Sequence, residues 1–141
     1  MGIRKAKEQD ASAIRTLLEQ LGYPTPDGLV ESKLSRMLDH PDERLFVYEE
    51  DNAVIAVMSL HFVPQLALIG DFATISYFVV DETIRSKGIG KAMEEHCTAL
   101  AIERGCEKIQ VHSNIRRTKA HQFYERQGFQ ESSKDFFKKL N

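Results

Sequence analysis

The hydrophobic period changes abruptly near the middle of the chain, and this change limits the folds that the chain can adopt. The segment "DFATISYFVV" (71–80) is rich in the β-branched and aromatic residues of a strand. From Gly88 onward, apolar residues recur at helical spacing as far as Ala101, and Gly105 follows as a stop signal. A strand, a loop with glycines and an amphipathic helix therefore follow one another directly.

Hydrophobic periodicity and the positions of helix- and strand-breaking residues predict one domain over residues 1–141. Its elements follow in the order β-α-α-β-β-β-α-β-α-β. The predicted strands are 2–7, 44–50, 53–63, 71–80, 107–113 and 129–140, the last as a strand or hairpin. The predicted helices are 11–21 with Asp10 as N-cap, 27–40, the segment between Gly88 and Gly105, and 117–127. Strands that alternate with helices in this way indicate an α/β (α+β) domain with a mixed sheet.

Composition excludes several classes of protein. The formal net charge of −2 gives no electrostatic footprint for nucleic acid, and no apolar run has the roughly 18 residues of a membrane span. The N-terminus has no apolar stretch of a secretory signal, and two cysteines are too few for a disulfide framework. No histidine pair has a metal-ligand spacing. We therefore expect a cytoplasmic protein with no metal, no nucleic-acid partner and no membrane span.

Two glycines, Gly88 and Gly90, stand where the central helix is about to begin. Glycine in a helix costs about 1 kcal/mol relative to alanine, so this spot needs bare backbone. The first N–H groups of a helix lack internal partners and favour an anion, and Arg85 and Lys87 add cationic donors. Both an anion site and close packing at the helix start are consistent with this pattern.

Two motifs resemble those of the Gcn5-related N-acetyltransferases (GNAT). The segment Arg85-Ser86-Lys87-Gly88-Ile89-Gly90 matches R/Q-x-x-G-x-G/A after a hydrophobic strand. The segment "NIRRTKAHQFYERQGF" is similar to the later motif, with Asn114, Ala120, Phe123, Tyr124, Gly128 and Phe129 at its positions. The element order agrees over almost the whole chain. The resemblance implies a mixed, mostly antiparallel sheet of six to seven strands with about four helices.

The resemblance also implies acetyl-CoA as co-substrate. Backbone N–H groups of residues 85–91 would hold its pyrophosphate, and its pantetheine arm would pair with exposed backbone of the preceding strand. Asn114 would contact the pantetheine or fix the loop before the last helix. The implied binding residues are Phe78, Val79, Val80, Arg85, Ser86, Lys87, Gly88, Ile89, Gly90, Lys91, Asn114 and Tyr124.

The implied reaction is N-acetyl transfer by direct attack of an amine on the thioester. Tyr124 matches the family's tyrosine, which protonates the departing thiolate, whereas its spacing alone favours a core aromatic. Many relatives carry a glutamate on the strand before the glycine loop, but this chain has Ser76 and Tyr77 there. The remaining candidates for the base are His112, His61, Glu49, Glu50, Asp71 and a water relay. We select His112, because histidine changes charge near neutral pH and this strand lines the family's cleft.

The acceptor is implied to be a primary amine of a small molecule or peptide. Tyr23 and Phe62 lie in the segments that recognise the acceptor in the family. A non-catalytic acetyl-CoA-binding regulatory module and a protein-lysine acetyltransferase remain alternatives, and a homodimer is left open.

Overall fold

The structure, a computed structural model, describes residues 2–84, 88–112, 118–131 and 136–141. Its strands are β1 (Gly2–Lys5), β2 (Glu43–Glu50), β3 (Ala53–Val63), β4 (Phe72–Val80) and β5 (Lys108–Val111). Its helices are α1 (Ala11–Leu21), preceded by a 3₁₀ turn over Glu8–Asp10, α2 (Leu29–Met37), α3 (Ile89–Arg104) and α4 (Thr118–Arg126). The predicted order of elements is confirmed as far as α4.

The five strands form one sheet in the order β1-β2-β3-β4-β5. Neighbours are antiparallel from β1 to β4, whereas β5 pairs with β4 in parallel. A parallel neighbour requires a crossover connection, which α3 supplies between β4 and β5. The sheet is therefore mixed and mostly antiparallel, as predicted.

Each face of the sheet buries its own apolar cluster. On one face, α3 packs through Ile89, Met93, Cys97 and Ala101 against even-numbered residues of β3, such as Met58 and Leu60. We call this the α3 face. On the other face, Ile14 and Leu17 of α1 and Leu34 of α2 pack against Val47, Val57 and Val79. We call this the α1/α2 face, and alternation along each strand decides which face a residue joins.

The prediction of six to seven strands is wrong, because the described sheet has five. The predicted last strand, 129–140, is described at 129–131 and 136–141, and neither part is a strand. Phe136, Phe137 and Leu140 are more than 90% exposed. Their side chains gain almost no burial that would offset the entropy lost on ordering a strand. Alternation of apolar residues predicts a strand only where a second surface covers them.

The helices differ from their predicted bounds only at the ends. Helix α2 begins later than the predicted residue 27, because Gly28 takes a left-handed conformation (φ +82°) that precedes its first turn. In the described part of the chain, no helix is both long and apolar enough to cross a membrane.

Asp10 joins the start of α1 to the edge of the sheet. Its carboxylate accepts hydrogen bonds from both terminal nitrogens of Arg4, at 2.8 and 2.9 Å, and from the N–H of Lys7 at 2.8 Å. The side chain thus closes the turn before the helix, although Asp10 also occupies the predicted N-cap position of α1. Hydrogen bonds from the Arg4 guanidinium lower the pKa of Asp10.

Candidate functional site

Helix α3 begins at Gly88, which has a left-handed backbone (φ +73°). A Cβ at this position would meet no atom of the described residues within 4 Å, so the space beside it is open. Glycine has no side chain that could cap the helix, and the first N–H groups that follow lack intrahelical partners. Among the residues that the structure describes, the start of α3 therefore presents backbone donors without intrahelical partners to an open space, an arrangement suited to an anion.

Gly90 serves a different purpose, which is close packing. A Cβ built on Gly90 would lie 3.4 Å from Cε1 of Phe123 and 3.9 Å from Cζ of Phe78. The α4 aromatic Phe123 thus packs on the first turn of α3, where a Cβ would be in van der Waals contact with its ring. The two phenyl rings also meet each other edge to face, with centroids 5.9 Å apart. Of the two explanations for the glycine pair, the open space fits Gly88 and close packing fits Gly90.

Tyr124 follows Phe123 on α4 and belongs to the same group of aromatic rings. Its ring packs edge to face against Phe123 at 5.5 Å and against Phe129 at 5.4 Å. Tyr124 is half-buried in this cluster of rings. The structure therefore brings Phe78 and Gly90 together at Phe123, and Tyr124 adjoins them only through the Phe123 ring.

Strands β4 and β5 pair over a short stretch only. Their ladder joins residues 72–75 to residues 108–111, and in the described part of the chain no strand pairs with the β5 side of residues 76–79. At the point where the ladder stops, Ser76 forms a bulge: Leu60 on β3 opposes Ile75, but the next residue, Ser59, opposes Tyr77. We call the opening beyond Ile75 the β4 gap.

The bulge at Ser76 shifts the side-chain alternation of β4. Before it, Ala73 and Ile75 belong to the α3 face; after it, Phe78 packs on that face and Val79 joins the α1/α2 face. The beginning of α3 and the β4 gap are thus joined by Phe78, whose ring contacts Phe123. A ligand with an anionic end and an extended, amide-bearing arm would fit these two features together.

Comparison with known proteins decides the family. A family model described as "Acetyltransferase (GNAT) family" matches residues 11–129. The chain belongs to the GNAT acetyltransferase family. The GNAT domain is 28% identical over 135 residues to an uncharacterized N-acetyltransferase of Chlorobaculum tepidum, a match that covers 96% of this chain and 79% of the relative.

Solved structures have the same fold. A transcriptional regulator from Bacillus halodurans is superposed with a TM-score of 0.89 at 24% identity, and the match covers 98% of each chain. A Trypanosoma brucei acetyltransferase is superposed with a TM-score of 0.83 at 25% identity, also over 98% of each chain. The fold of the GNAT domain is therefore shared with proteins of different description.

The two residues predicted to line an acceptor pocket lie on opposite faces of the sheet. Tyr23 follows α1 and meets Tyr77 edge to face at 5.4 Å, and both rings are largely exposed. Phe62 is buried on the α3 face, with the guanidinium of Arg104 4.3 Å above its ring. A single pocket of the GNAT domain cannot be lined by both residues, and only Tyr23 has an exposed ring that an acceptor could contact.

Two carboxylates that were candidates for the base are held by arginines. Glu49 accepts a hydrogen bond from Nε of Arg4 at 2.9 Å, which lowers the pKa of Glu49. Asp71, at the start of β4, lies 3.2 Å from a terminal nitrogen of Arg104. A carboxylate with a lowered pKa is a weaker proton acceptor, so Glu49 is not favoured as a base. Asp71 is engaged in an ion pair with Arg104.

The histidine candidates differ in their surroundings. His112 is exposed and directly follows the last residue of β5. His61 lies within β3, and its Nδ1 makes a hydrogen bond to Oε2 of Glu43 on β2. Glu43 is not among the residues selected from the sequence, because it lies 18 positions from His61 and only the strand register brings them together. Arg85, Ser86, Lys87 and Asn114 lie outside the described residues.

Other reactive groups of the GNAT domain are structural. Burial on the α3 face raises the pKa of the Cys97 thiol to about 12, so this cysteine stays protonated. The ring of His96 packs against Phe46 at 4.8 Å, and burial lowers its pKa. Among the residues that the structure describes, no group of three or more acidic, histidine or cysteine side chains could hold a metal.

A cavity of about 440 Å³ lies away from the β4 gap. It opens between the end of α2, the first residues of β2 and α3, and its walls include Met37, Leu45 and Leu100. The cavity borders β2, whereas the predicted cofactor site borders β4. Because β3 lies between these strands, the cavity and the predicted cofactor site are separate.

Proposed function

We propose that this GNAT domain is an acetyl-CoA-dependent N-acetyltransferase. It transfers acetyl to a primary amine of a small molecule or peptide by direct attack within a ternary complex. The observation that carries the proposal is the β4 gap, which lies next to the uncapped beginning of α3.

The two features suit the two ends of the co-substrate. The pyrophosphate would accept hydrogen bonds from the backbone N–H groups of Ile89, Gly90 and Lys91, where the helix dipole favours negative charge. The family motif adds Arg85, Ser86 and Lys87 to this cradle. The pantetheine arm carries amides, which would pair with the backbone of residues 78–80 as an added strand would. The thioester would then lie toward the bulge at Ser76.

Tyr124 is proposed to protonate or stabilise the departing thiolate. Tyr124 is half-buried and its ring contacts Phe123, which in turn contacts Phe78 at the strand that the pantetheine would follow. A phenol carries a proton at neutral pH, and general acid catalysis of this kind contributes about 10²–10⁴ in rate.

A second function is a domain that binds acetyl-CoA without transferring the acetyl group. The absence of a carboxylate at Ser76 and Tyr77, where many relatives carry a glutamate, favours it. A protein-lysine acetyltransferase differs from the main proposal in the acceptor only, and peptides in the acceptor panel test it.

Two measurements on the full chain test the proposal. Calorimetry measures acetyl-CoA binding, and release of free thiol is followed with spermidine, glucosamine 6-phosphate, tryptamine and lysine-containing peptides as acceptors. Binding with acceptor-dependent thiol release supports the transferase. Binding with no release from any acceptor supports the non-catalytic domain, and absence of binding refutes both.

A further inference from the structure

A row of polar side chains crosses the sheet on the α1/α2 face. Glu43 on β2 opposes His61 on β3, His61 opposes Thr74 on β4, and Thr74 opposes Gln110 on β5. The amide of Gln110 donates to Oγ1 of Thr74 at 3.1 Å. Positions on this face that lie under α1 and α2 are apolar, so the row marks the part of the face beyond the two helices.

The Glu43–His61 hydrogen bond fixes which nitrogen of the imidazole can accept a proton. Since a carboxylate only accepts, Nδ1 of His61 carries the hydrogen and donates it to Glu43. The lone pair of the neutral ring is then on Nε2, which lies 3.4 Å from the hydroxyl of Ser59. This long contact leaves Nε2 available to a better donor, and about a quarter of each side chain of the pair is exposed.

His61 lies close to the β4 gap. It is one strand from β4, and its partner Thr74 is two residues before the bulge at Ser76. Strands lie about 4.8 Å apart and rise about 3.3 Å per residue, so the Cα atom of His61 is about 8 Å from the bulge. The Nε2 atom of the ring faces Ser59, which opposes Tyr77, the residue directly after the bulge. Tyr77, which meets Tyr23, lies on the same face beyond the bulge.

We infer that His61, oriented by Glu43, is the base that deprotonates the acceptor amine. This inference rests on the proposed function and replaces His112 as the base. The ammonium loses one proton to Nε2 of His61, which passes it to solvent. The amine lone pair then forms a C–N bond to the thioester carbonyl carbon while the C–S bond breaks. A second proton leaves the nitrogen and one proton ends on the sulfur, which gives an amide, a free thiol and one released proton.

In this arrangement Glu43 is a positioning residue. Its carboxylate holds the tautomer and the orientation of the ring, as the acid does in a Ser-His-Asp arrangement. Ser59, His61 and Glu43 resemble the three groups of that arrangement, but Ser59 is only 5% exposed and a substrate cannot reach it. Of Ser59 and His61, only His61 has a partly exposed side chain.

The test compares two nucleophiles on the full chain. One is the best amine from the acceptor panel, and the other is its aminooxy analogue, which is already neutral at pH 7 and needs no base. For His61→Gln we expect kcat/KM with the amine to fall by about 10²–10⁴ and with the aminooxy compound by less than tenfold. For Glu43→Gln we expect kcat with the amine to fall by about tenfold or more, with little change in KM. His40→Gln, which removes a histidine at the end of α2, is the matched control.

The outcomes separate this inference from the proposed function. If the wild type releases thiol but His61→Gln loses activity equally with both nucleophiles, or with neither, then His61 is not the base. The proposed transferase function would still stand. A wild type that releases thiol with no acceptor overturns both. Melting temperature and acetyl-CoA affinity are measured for every variant, and His61→Asn replaces His61→Gln if the latter fails to fold.

Discussion

Gly88→Val tests whether the beginning of α3 holds the phosphates of acetyl-CoA. A valine at φ +73° would adopt a left-handed backbone at a cost of about 1–3 kcal/mol, independent of any ligand. Its side chain would also occupy the open space in which phosphate oxygens are proposed to approach. The variant should therefore lose both stability and affinity, and the two losses must be separated.

Gly28→Val supplies the matched control. Gly28 is also the N-cap of a helix, has a similar left-handed backbone (φ +82°), and a Cβ there would likewise meet nothing within 4 Å. Its helix, α2, lies outside the proposed site. Both variants should lower the melting temperature by about 4–12 °C, since 1 kcal/mol corresponds to about 4 °C in a domain of this size.

Only Gly88→Val should weaken acetyl-CoA binding. We expect its dissociation constant, measured by calorimetry at a temperature where both variants are folded, to rise at least tenfold, or about 1.4 kcal/mol. Wild-type affinity in folded Gly88→Val would refute the phosphate cradle. An equal loss in Gly28→Val would show that strain alone, transmitted through the fold, lowers the affinity.

Three further predictions concern single residues. Tyr124→Phe should lower kcat by about 10–10³ in steady-state assays with little change in acetyl-CoA affinity; wild-type turnover with a lower melting temperature would make Tyr124 a core residue. Gly90→Val should lower the melting temperature and kcat together, because its methyl groups would displace Phe123 and, with it, Tyr124. Asp10→Asn should cost about 1–3 kcal/mol in urea unfolding at pH 7. Because Arg4 lowers the pKa of Asp10, its contribution is present above the ordinary carboxyl pKa and is lost as pH falls through the lower folded value. The difference between wild type and Asp10→Asn should therefore shrink in acid, and a constant difference would contradict the ion pair.

Features that depend on neighbours along the chain could be predicted from the amino-acid sequence. Helical spacing after Gly88 predicts α3, and Gly105 ends it with φ +76°, as a left-handed glycine cap does. The β-branched segments predict β2, β3 and β4 within a residue or two. The two motifs identify the family, which the comparison confirms over residues 11–129. Each of these signals lies within a short segment of the chain, no longer than one helix or one strand with its adjoining loop.

The tertiary structure alone decided which distant residues meet. Gly90 lies 33 positions before Phe123, and only the packing of α4 on α3 brings the two residues into contact. Glu43 and His61 become neighbours because the Asp51-Asn52 turn pairs β2 with β3 and a bulge between Val54 and Ala56 shifts the register by one residue; the bulge is not evident from the sequence. The bulge at Ser76 depends on pairing with β3 and changes the face that each later residue of β4 joins. Periodicity fixes which way a side chain alternates, whereas register and packing fix what it faces, because those depend on interactions summed over the whole sheet.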